Sequence, residues 1–306
     1  MGNRIVVIGG ANLDLVGRSR LAYRSEDSNP GSVKMSPGGV GRNIAENLSR
    51  LGAEVVFLSA IGQDPQGQLV AQATEAVGVN LQHVLRTDCG TSTYLCILDE
   101  KGEMVGAINE MEPIEAVTAG VIRGWKSVIA SADLCVIDLN LSESAIEAFF
   151  SIKGEVPVFV DPVSCAKAEK IRPYLSQVAG IKPNRLEAGV LTGLFSQDPT
   201  VLGKALLDLG VGEVVLSDGA NGVYCFGDRQ PLHCPIKPVE VVNVTGAGDA
   251  FMAAWVWSLF SWKEWMKRCR FAMAASTLTI GSEETIYPAL SFEAVVKRER
   301  ELWGNE

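Results

Sequence analysis

Arg4-Ile5-Val6-Val7-Ile8-Gly9-Gly10-Ala11-Asn12-Leu13-Asp14 is the stretch from which the fold can be read. The run from Ile5 to Ile8 is apolar and β-branched at every position and stops at glycine. A strand with no polar face has to be covered on both sides, which is the habit of parallel sheets flanked by helices. Similar runs recur at Val55-Val56-Phe57-Leu58, Leu134-Cys135-Val136-Ile137, Val158-Phe159-Val160 and Val214-Val215-Leu216. Between them lie amphipathic segments that predict helices over 41–51, 66–76, 143–151, 184–192, 199–209, 247–260 and 263–280. Strand and helix in alternation predict an α/β protein with a central, mostly parallel sheet. The residues after the first strand do not spell GxGxxG, which disfavours a nicotinamide-dependent oxidoreductase.

Two regions interrupt the alternation. Residues 13–36 are polar and turn-rich, and in 91–108 two β-prone runs flank Asp99-Glu100-Lys101-Gly102, the pattern of a hairpin. These are expected to form a small sheet standing off the main one, as a lid or as an oligomer contact. No internal repeat or long linker divides the chain, so residues 1–306 are read as one domain with that excursion.

The composition removes whole classes of function. With 27 Lys+Arg against 36 Asp+Glu the net charge is −9, which offers no broad cationic face to a nucleic acid. The seven cysteines form no CxxC pair and read as reduced thiols of a cytoplasmic protein. Only His83 and His233 are present, neither in an HExxH setting, so zinc hydrolysis and a Ser-His-Asp triad lack their parts. No signal or anchor pattern is read near Met1. The aromatic-apolar run from Phe251 to Trp262 falls short of the ~20 residues needed to span a bilayer and is read as a buried helix.

Two glycine clusters carry the chemistry. Gly38-Gly39-Val40-Gly41-Arg42-Asn43-Ile44-Ala45 runs straight into a helical pattern, either as a tight turn or as a place where backbone N–H groups approach a ligand. Asn243-Val244-Thr245-Gly246-Ala247-Gly248-Asp249 opens a second helix, whose bare N–H groups suit the negative charge that builds up in phosphoryl transfer. Asp249 is there either a helix-capping group or a base for an attacking hydroxyl. There is no GxxxxGK[ST] loop and no protein-kinase set, so phosphate would have to be handled by another architecture.

In these motifs, in their order, the chain resembles the ribokinase-like (PfkB) carbohydrate and nucleoside kinases over nearly its whole length. The two glycine clusters match the family's two signatures. Lys182-Pro183-Asn184-Arg185-Leu186-Glu187 resembles its Mg²⁺- and phosphate-organising segment, Leu216-Ser217-Asp218-Gly219-Ala220-Asn221-Gly222 its ATP-contacting strand end, and Asn12-Leu13-Asp14 its sugar-gripping strand end. The resemblance implies a three-layer sandwich with a small β lid, and the exposed β-face of that lid suggests a homodimer formed through it. It implies Asp249 as base, Gly246, Ala247 and Gly248 as anion hole, and Asn12, Asp14, Gly39, Gly41 and Asn43 around the sugar. It further implies ATP contacts from Asn184, Ser217, Gly219, Gly222 and Thr245, and Mg²⁺ held mainly through water by Asn184 and Glu187. Asn184 and Glu187 also have the spacing of a capping box, and the two roles are compatible. Many members carry Asp where this chain has Asn243, which puts activation by a monovalent cation in doubt.

Within the family, Ser28-Asn29-Pro30-Gly31, the extended run to Leu48 and Asp161-Pro162-Val163-Ser164 with Lys167 resemble pseudouridine kinases. That likeness implies an ATP-dependent kinase of the 5′-hydroxyl of a ribonucleoside, with pseudouridine as the favoured acceptor. Another nucleoside, ribose or another sugar is the alternative within the class, and a silent nucleoside-binding protein the alternative outside it. A C-nucleoside keeps both ring N–H groups of its uracil, so its pocket should offer polar partners. Ser28, Asn29 and Lys167 are of suitable type, although Lys167 could simply decorate a helix. Tyr94 and Asn109 lie in the candidate lid, where Tyr94 could equally pack within a strand.

Overall fold

The computed structural model describes residues 3–304. In chain order the strands are β1 (Arg4–Ile8), β2 (Asn12–Ser19), β3 (Gly31–Gly38), β4 (Glu54–Leu58), β5 (Ala60–Gly62), β6 (Leu85–Thr87), β7 (Thr93–Leu98), β8 (Met104–Glu110), β9 (Leu134–Asp138), β10 (Val158–Asp161), β11 (Gly180–Ile181), β12 (Glu213–Ser217), β13 (Val223–Phe226) and β14 (Leu232–Cys234). Eight of them build the main sheet in the order β14-β13-β12-β11-β10-β9-β1-β4. From β12 to β4 every pairing is parallel; at the other edge β13 alone is reversed, so its pairings with β12 and β14 are antiparallel.

The apolar run that opened the chain lies inside this sheet. Val6 sits in register with Val56 on one side and Cys135 on the other. Successive residues of β1 point to opposite faces, and each face has its own core. Ile5 and Val7 join Leu48, Trp255 and Phe271, whereas Val6 and Ile8 join Ile129, Phe149 and Leu206. The sheet is thus the middle of three layers.

The helix Ala247–Ser258 buries nearly its whole circumference, from Ala250 to Val256, with Trp255 edge-on to Phe159 of β10. A helix apolar all round belongs in a core. The helix Phe292–Trp303 was not anticipated: it buries Val295 and Leu302, but a run of charged residues between them hides that stripe. The short helices between Glu112 and Ala130 also lie outside the sequence reading.

A second sheet stands apart, in the order β3-β2-β7-β8. It holds the polar stretch 13–36, which forms two eight-residue strands, and the β7–β8 hairpin. The strand signal of β3 is weak because five consecutive residues from Gly31 are exposed. Paired residues share a face, so Ser36, Asp14, Tyr94 and Asn109 form one polar row across the four strands. One residue along, Met35, Leu15, Leu95 and Ile108 form an apolar row on the opposite face.

Candidate active site

Parallel strands end together, and ligands of such sheets bind beyond their C-terminal ends. Here β9 ends in Asp138 and β10 in Asp161, in register with each other, and β11 leads directly into Lys182.

Asp138 is fully buried and gathers the first glycine cluster around itself. Its Oδ2 accepts from the N–H groups of Gly10 (2.8 Å) and Gly41 (2.6 Å), and its Oδ1 from that of Asn140 (2.8 Å). Burial pushes its pKa up, although the Gly10 and Asn140 bonds favour the carboxylate. A Cβ on Gly41 would lie 2.9 Å from that Oδ2, and Gly39 has φ 98° with its missing Cβ 2.5 Å from the Gly10 carbonyl oxygen. Both positions therefore need glycine. The Gly41, Arg42 and Asn43 N–H groups are taken up within the chain, by Asp138 Oδ2 and by the Gly10 and Gly39 carbonyls, so of the two readings of this cluster the structure displays the tight turn before a helix.

The helix that follows carries Asn43 to Asp249. The Asn43 Nδ2 donates to Asp249 Oδ2 at 2.9 Å across 206 residues of chain. On the neighbouring strand Asn12 Nδ2 donates to Asp14 Oδ1, and Asp14 packs against Gly38. Burial raises the Asp14 pKa, opposed by the Asn12 bond and the charge of Arg42. Asn12, Asp14, Gly39, Gly41, Asn43 and Asp249 thus come together, and the row containing Tyr94 and Asn109 extends from Asp14.

Asp249 lies in the first turn of Ala247–Ser258, behind Gly246 at φ 79°. A Cβ on Gly246 would fall 1.9 Å from the Thr285 carbonyl oxygen, so the left-handed entry to this helix admits no side chain. The first N–H groups of a helix lack intrahelical acceptors. Burial pushes the pKa of Asp249 up to about 7, helped by the Asp161 charge and opposed by Asn43 and Lys182.

Lys182 is the cation of the site. Its Nζ lies 3.2 Å from Asp161 Oδ2 and would be 3.4 Å from a Cβ on Gly248. Burial works against its charge, but Asp161, Glu187 and Asp249 outweigh it and hold its pKa above the ordinary value. Asp161 Oδ1 accepts from the Val163 N–H (2.9 Å), and Val163 adopts φ 66°. That is a strained conformation for a β-branched residue, of the kind that collects at functional sites.

Beside Lys182 opens a largely apolar cavity of about 640 Å³, whose walls include Asn184, Ser217, Gly219, Gly222, Val223 and Phe251. Thr245 is exposed and does not line it. Asn184 and Glu187 form a complete capping box: Glu187 N–H to Asn184 Oδ1 at 2.9 Å, and Asn184 N–H to Glu187 Oε2 at 2.9 Å. Lys167 donates to Asn140 Oδ1 and lines a separate cavity of about 690 Å³ with Ser142 and Lys170. That cavity adjoins the glycine cradle through Asn140, whose Nδ2 would be 3.0 Å from a Cβ on Gly10.

Ser28 and Asn29 sit elsewhere, in the exposed loop between β2 and β3. Asn29 accepts from the Arg24 N–H and donates to the Arg24 and Asp27 carbonyls, which uses its amide to hold the loop. Asp138 was not singled out in the sequence, whereas Asp161, Lys182 and Arg42 stood there inside quoted motifs without a role of their own; all four lie at this candidate site. The signal for the first two was available: each is a carboxylate directly following a wholly apolar strand.

Comparison with known proteins finds relatives over nearly the whole chain. The family model described as "pfkB family carbohydrate kinase" matches residues 3–291. The pseudouridine kinase of Escherichia coli (strain K12) is 40% identical over 298 residues, covering 95% of either chain. A crystal structure of a putative sugar kinase from Clostridium perfringens superposes with a TM-score of 0.86 at 33% identity, covering 98% of this chain and 96% of that one. A putative ribokinase II from E. coli in complex with ATP and Mg²⁺ has the same fold, with a TM-score of 0.86 at 17% identity over 98% of this chain and all of the other.

Proposed function

The chain belongs to the pfkB family of carbohydrate kinases and is a phosphotransferase with an alcohol group as acceptor; on that premise we propose that it transfers the γ-phosphoryl group of ATP to the 5′-hydroxyl of pseudouridine. The observation that carries the reading is the position of Asp249. It stands between the polar side chains of Asn12, Asp14 and Asn43 and the cavity that begins at Lys182, at the mouth of a helix N-terminus.

In this mechanism the acceptor hydroxyl lies against Asp249, which takes its proton as the oxygen attacks phosphorus. A pKa of about 7 leaves a large fraction of the carboxylate ionised at neutral pH while keeping it basic enough to help. Asn43 and the Asp14–Asn12 pair orient the sugar. The N–H groups behind Gly246 and the ammonium of Lys182 meet the charge that develops on the transferred group. The adenine would rest among Val223, Phe251 and their apolar neighbours.

The donor set of Asn184 and Glu187 fits Mg²⁺ held through water. The capping box uses Glu187 Oε2, which leaves Oε1 to accept from a metal-bound water. The ion would screen the phosphate charge. Asn243 donates to the Glu283 carbonyl (3.3 Å) and accepts from the Thr245 N–H (2.9 Å). It thus ties the loop by hydrogen bonds with a neutral side chain, without the carboxylate that many members carry there.

The β3-β2-β7-β8 sheet acts as a lid whose polar row faces the acceptor and whose apolar row of Met35, Leu15, Leu95 and Ile108 packs in a homodimer, within one domain. The seven free cysteines suit a reducing cytoplasm, and among the described residues no helix is long and apolar enough to cross a membrane.

The preference for pseudouridine draws on the 40% identity to the E. coli enzyme and on the polar cavity around Lys167. A coupled ADP-release assay on pseudouridine, uridine, adenosine and ribose tests it. A nucleoside lacking the second ring N–H leaves a buried polar group unpaired, so pseudouridine should exceed uridine in kcat/KM by roughly tenfold or more. Adenosine or ribose in first place would move the acceptor within the family.

A further inference from the structure

Arg42 has no part in the reaction as described, yet it is buried beside it, only 4% exposed. Its Nε donates to Thr74 Oγ1 (3.1 Å), its Nη1 to the Pro37 carbonyl (3.1 Å) and to Asn43 Oδ1 (3.3 Å), and its Nη2 pairs with Glu46. Glu46 is also held by Arg50 at 2.8 Å.

A guanidinium has only donors, a carboxylate only acceptors, and an amide one end of each kind. The Asn43 amide lies between the Arg42 guanidinium and the Asp249 carboxylate. Its oxygen end must therefore face Arg42 and its NH2 end Asp249. The reverse orientation would set donor against donor on one side and oxygen against carboxylate on the other. We propose that Arg42 is a positioning residue for the catalytic base: by engaging Asn43 Oδ1 it fixes the amide so that Nδ2 donates to Asp249 and favours the carboxylate that can accept the substrate proton.

A hydrogen bond donated to a carboxylate lowers its pKa, and losing it raises the pKa. The other charges felt by Asp249 are Asp161 and Asp138, which oppose its ionisation, and Lys182, which favours it. Around Arg42 the charged groups are Glu46, Arg50 and Asp14. The hydrogen-bonded path from Arg42 to Asp249 runs through Asn43: Arg42 Nη1 donates to Asn43 Oδ1, and Asn43 Nδ2 donates to Asp249 Oδ2. The bond to Pro37 fixes the same guanidinium to the end of β3, next to the Gly38 against which Asp14 packs. Base and sugar clamp are thereby referred to one rigid group.

The inference rests on Asp249 being the base, and the experiment separates the two. The pH dependence of kcat/KM is measured for the wild-type enzyme, Arg42→Met, Arg42→Gln, Arg42→Lys, Glu46→Gln and Asp249→Asn, with thermal melts of each. In Arg42→Met and Arg42→Gln the acidic limb should move up by about one pH unit, giving about tenfold lower kcat/KM at pH 6 and a much smaller loss at pH 9. Arg42→Lys, still donor-only, should keep the limb near its wild-type position. Glu46→Gln should melt lower without moving the limb, because the contact from Arg42 to Asn43 survives. If Arg42→Met does not fold, Arg42→Gln and Arg42→Lys give the same comparison. An unshifted limb in the Arg42 variants with Asp249→Asn inactive overturns the positioning role alone, and so does an equal shift in Glu46→Gln. Normal turnover in Asp249→Asn overturns the base and the positioning role together.

Discussion

Replacing Asp249 by Asn should trade activity for stability, and the exchange should depend on pH. The pKa of Asp249 rises from 3.8 to about 7 in the folded chain, chiefly through burial. Between these values the unfolded chain has released the proton and the folded chain has kept it. Stability therefore falls as pH rises from about 4, and the loss is complete above about 7. About three pKa units at ~1.36 kcal/mol each come to a few kcal/mol, more than half of which develops between pH 5 and pH 8. Asparagine does not ionise and escapes this penalty. The melting temperature of Asp249→Asn minus that of the wild-type protein should thus be several degrees more positive at pH 8 than at pH 5. Turnover should fall by roughly 10²-fold or more, the loss for removing a general base, while nucleotide and acceptor still bind. In the wild-type enzyme kcat/KM should drop about tenfold per pH unit below about 7. Paired thermal melts and steady-state kinetics across that range are the assay. A melting-temperature difference that is the same at both pH values, or a flat wild-type profile from pH 6 to 9, would refute the reasoning that burial and Asp161 set the state of this carboxylate.

Other consequences are more direct. Lys182→Met should destabilise the fold by about 3–5 kcal/mol, because Asp161 is left as a buried charge without its cation; a urea titration with unchanged midpoint would contradict this. Gly246→Ala should cost about 1–3 kcal/mol or more and depress turnover, since φ 79° and the Thr285 carbonyl both exclude a Cβ; thermal melts and ADP release measure the two effects. Hydrogen exchange in 13–36 and 91–108 should slow when acceptor is added, and equal rates with and without it would count against a lid. Met35→Lys with Ile108→Lys should convert a dimer to a monomer in light scattering, because both side chains lie on the apolar row; an unchanged mass would remove that face as the interface.

Much of this protein was decided by its sequence alone. The apolar runs beginning at Ile5, Val55, Leu134, Val158 and Val214 fixed a buried parallel sheet, because nothing else covers both faces of such strands. The Gly38 and Gly246 clusters marked two helix N-termini, at which Gly39 and Gly246 take the positive φ that residues with a side chain rarely adopt. Asp249 and Asn43 could be picked out as members of those clusters. Their meeting could not, since 206 residues separate them and only the packing of two helices on one face of the sheet closes that distance. Tertiary structure likewise recruited Asp138, whose place at the end of an apolar strand is legible but whose partners are not: it becomes the common acceptor for Gly10 and Gly41 once β9 lies beside β1. It drew Asn29 into its own loop, whereas the Asn184–Glu187 capping box, a local motif, was legible from spacing alone. Local periodicity reports which elements form. Which side chains share a site depends on strand order and on a few long-range hydrogen bonds, whose strength comes from burial that exists only in the folded chain.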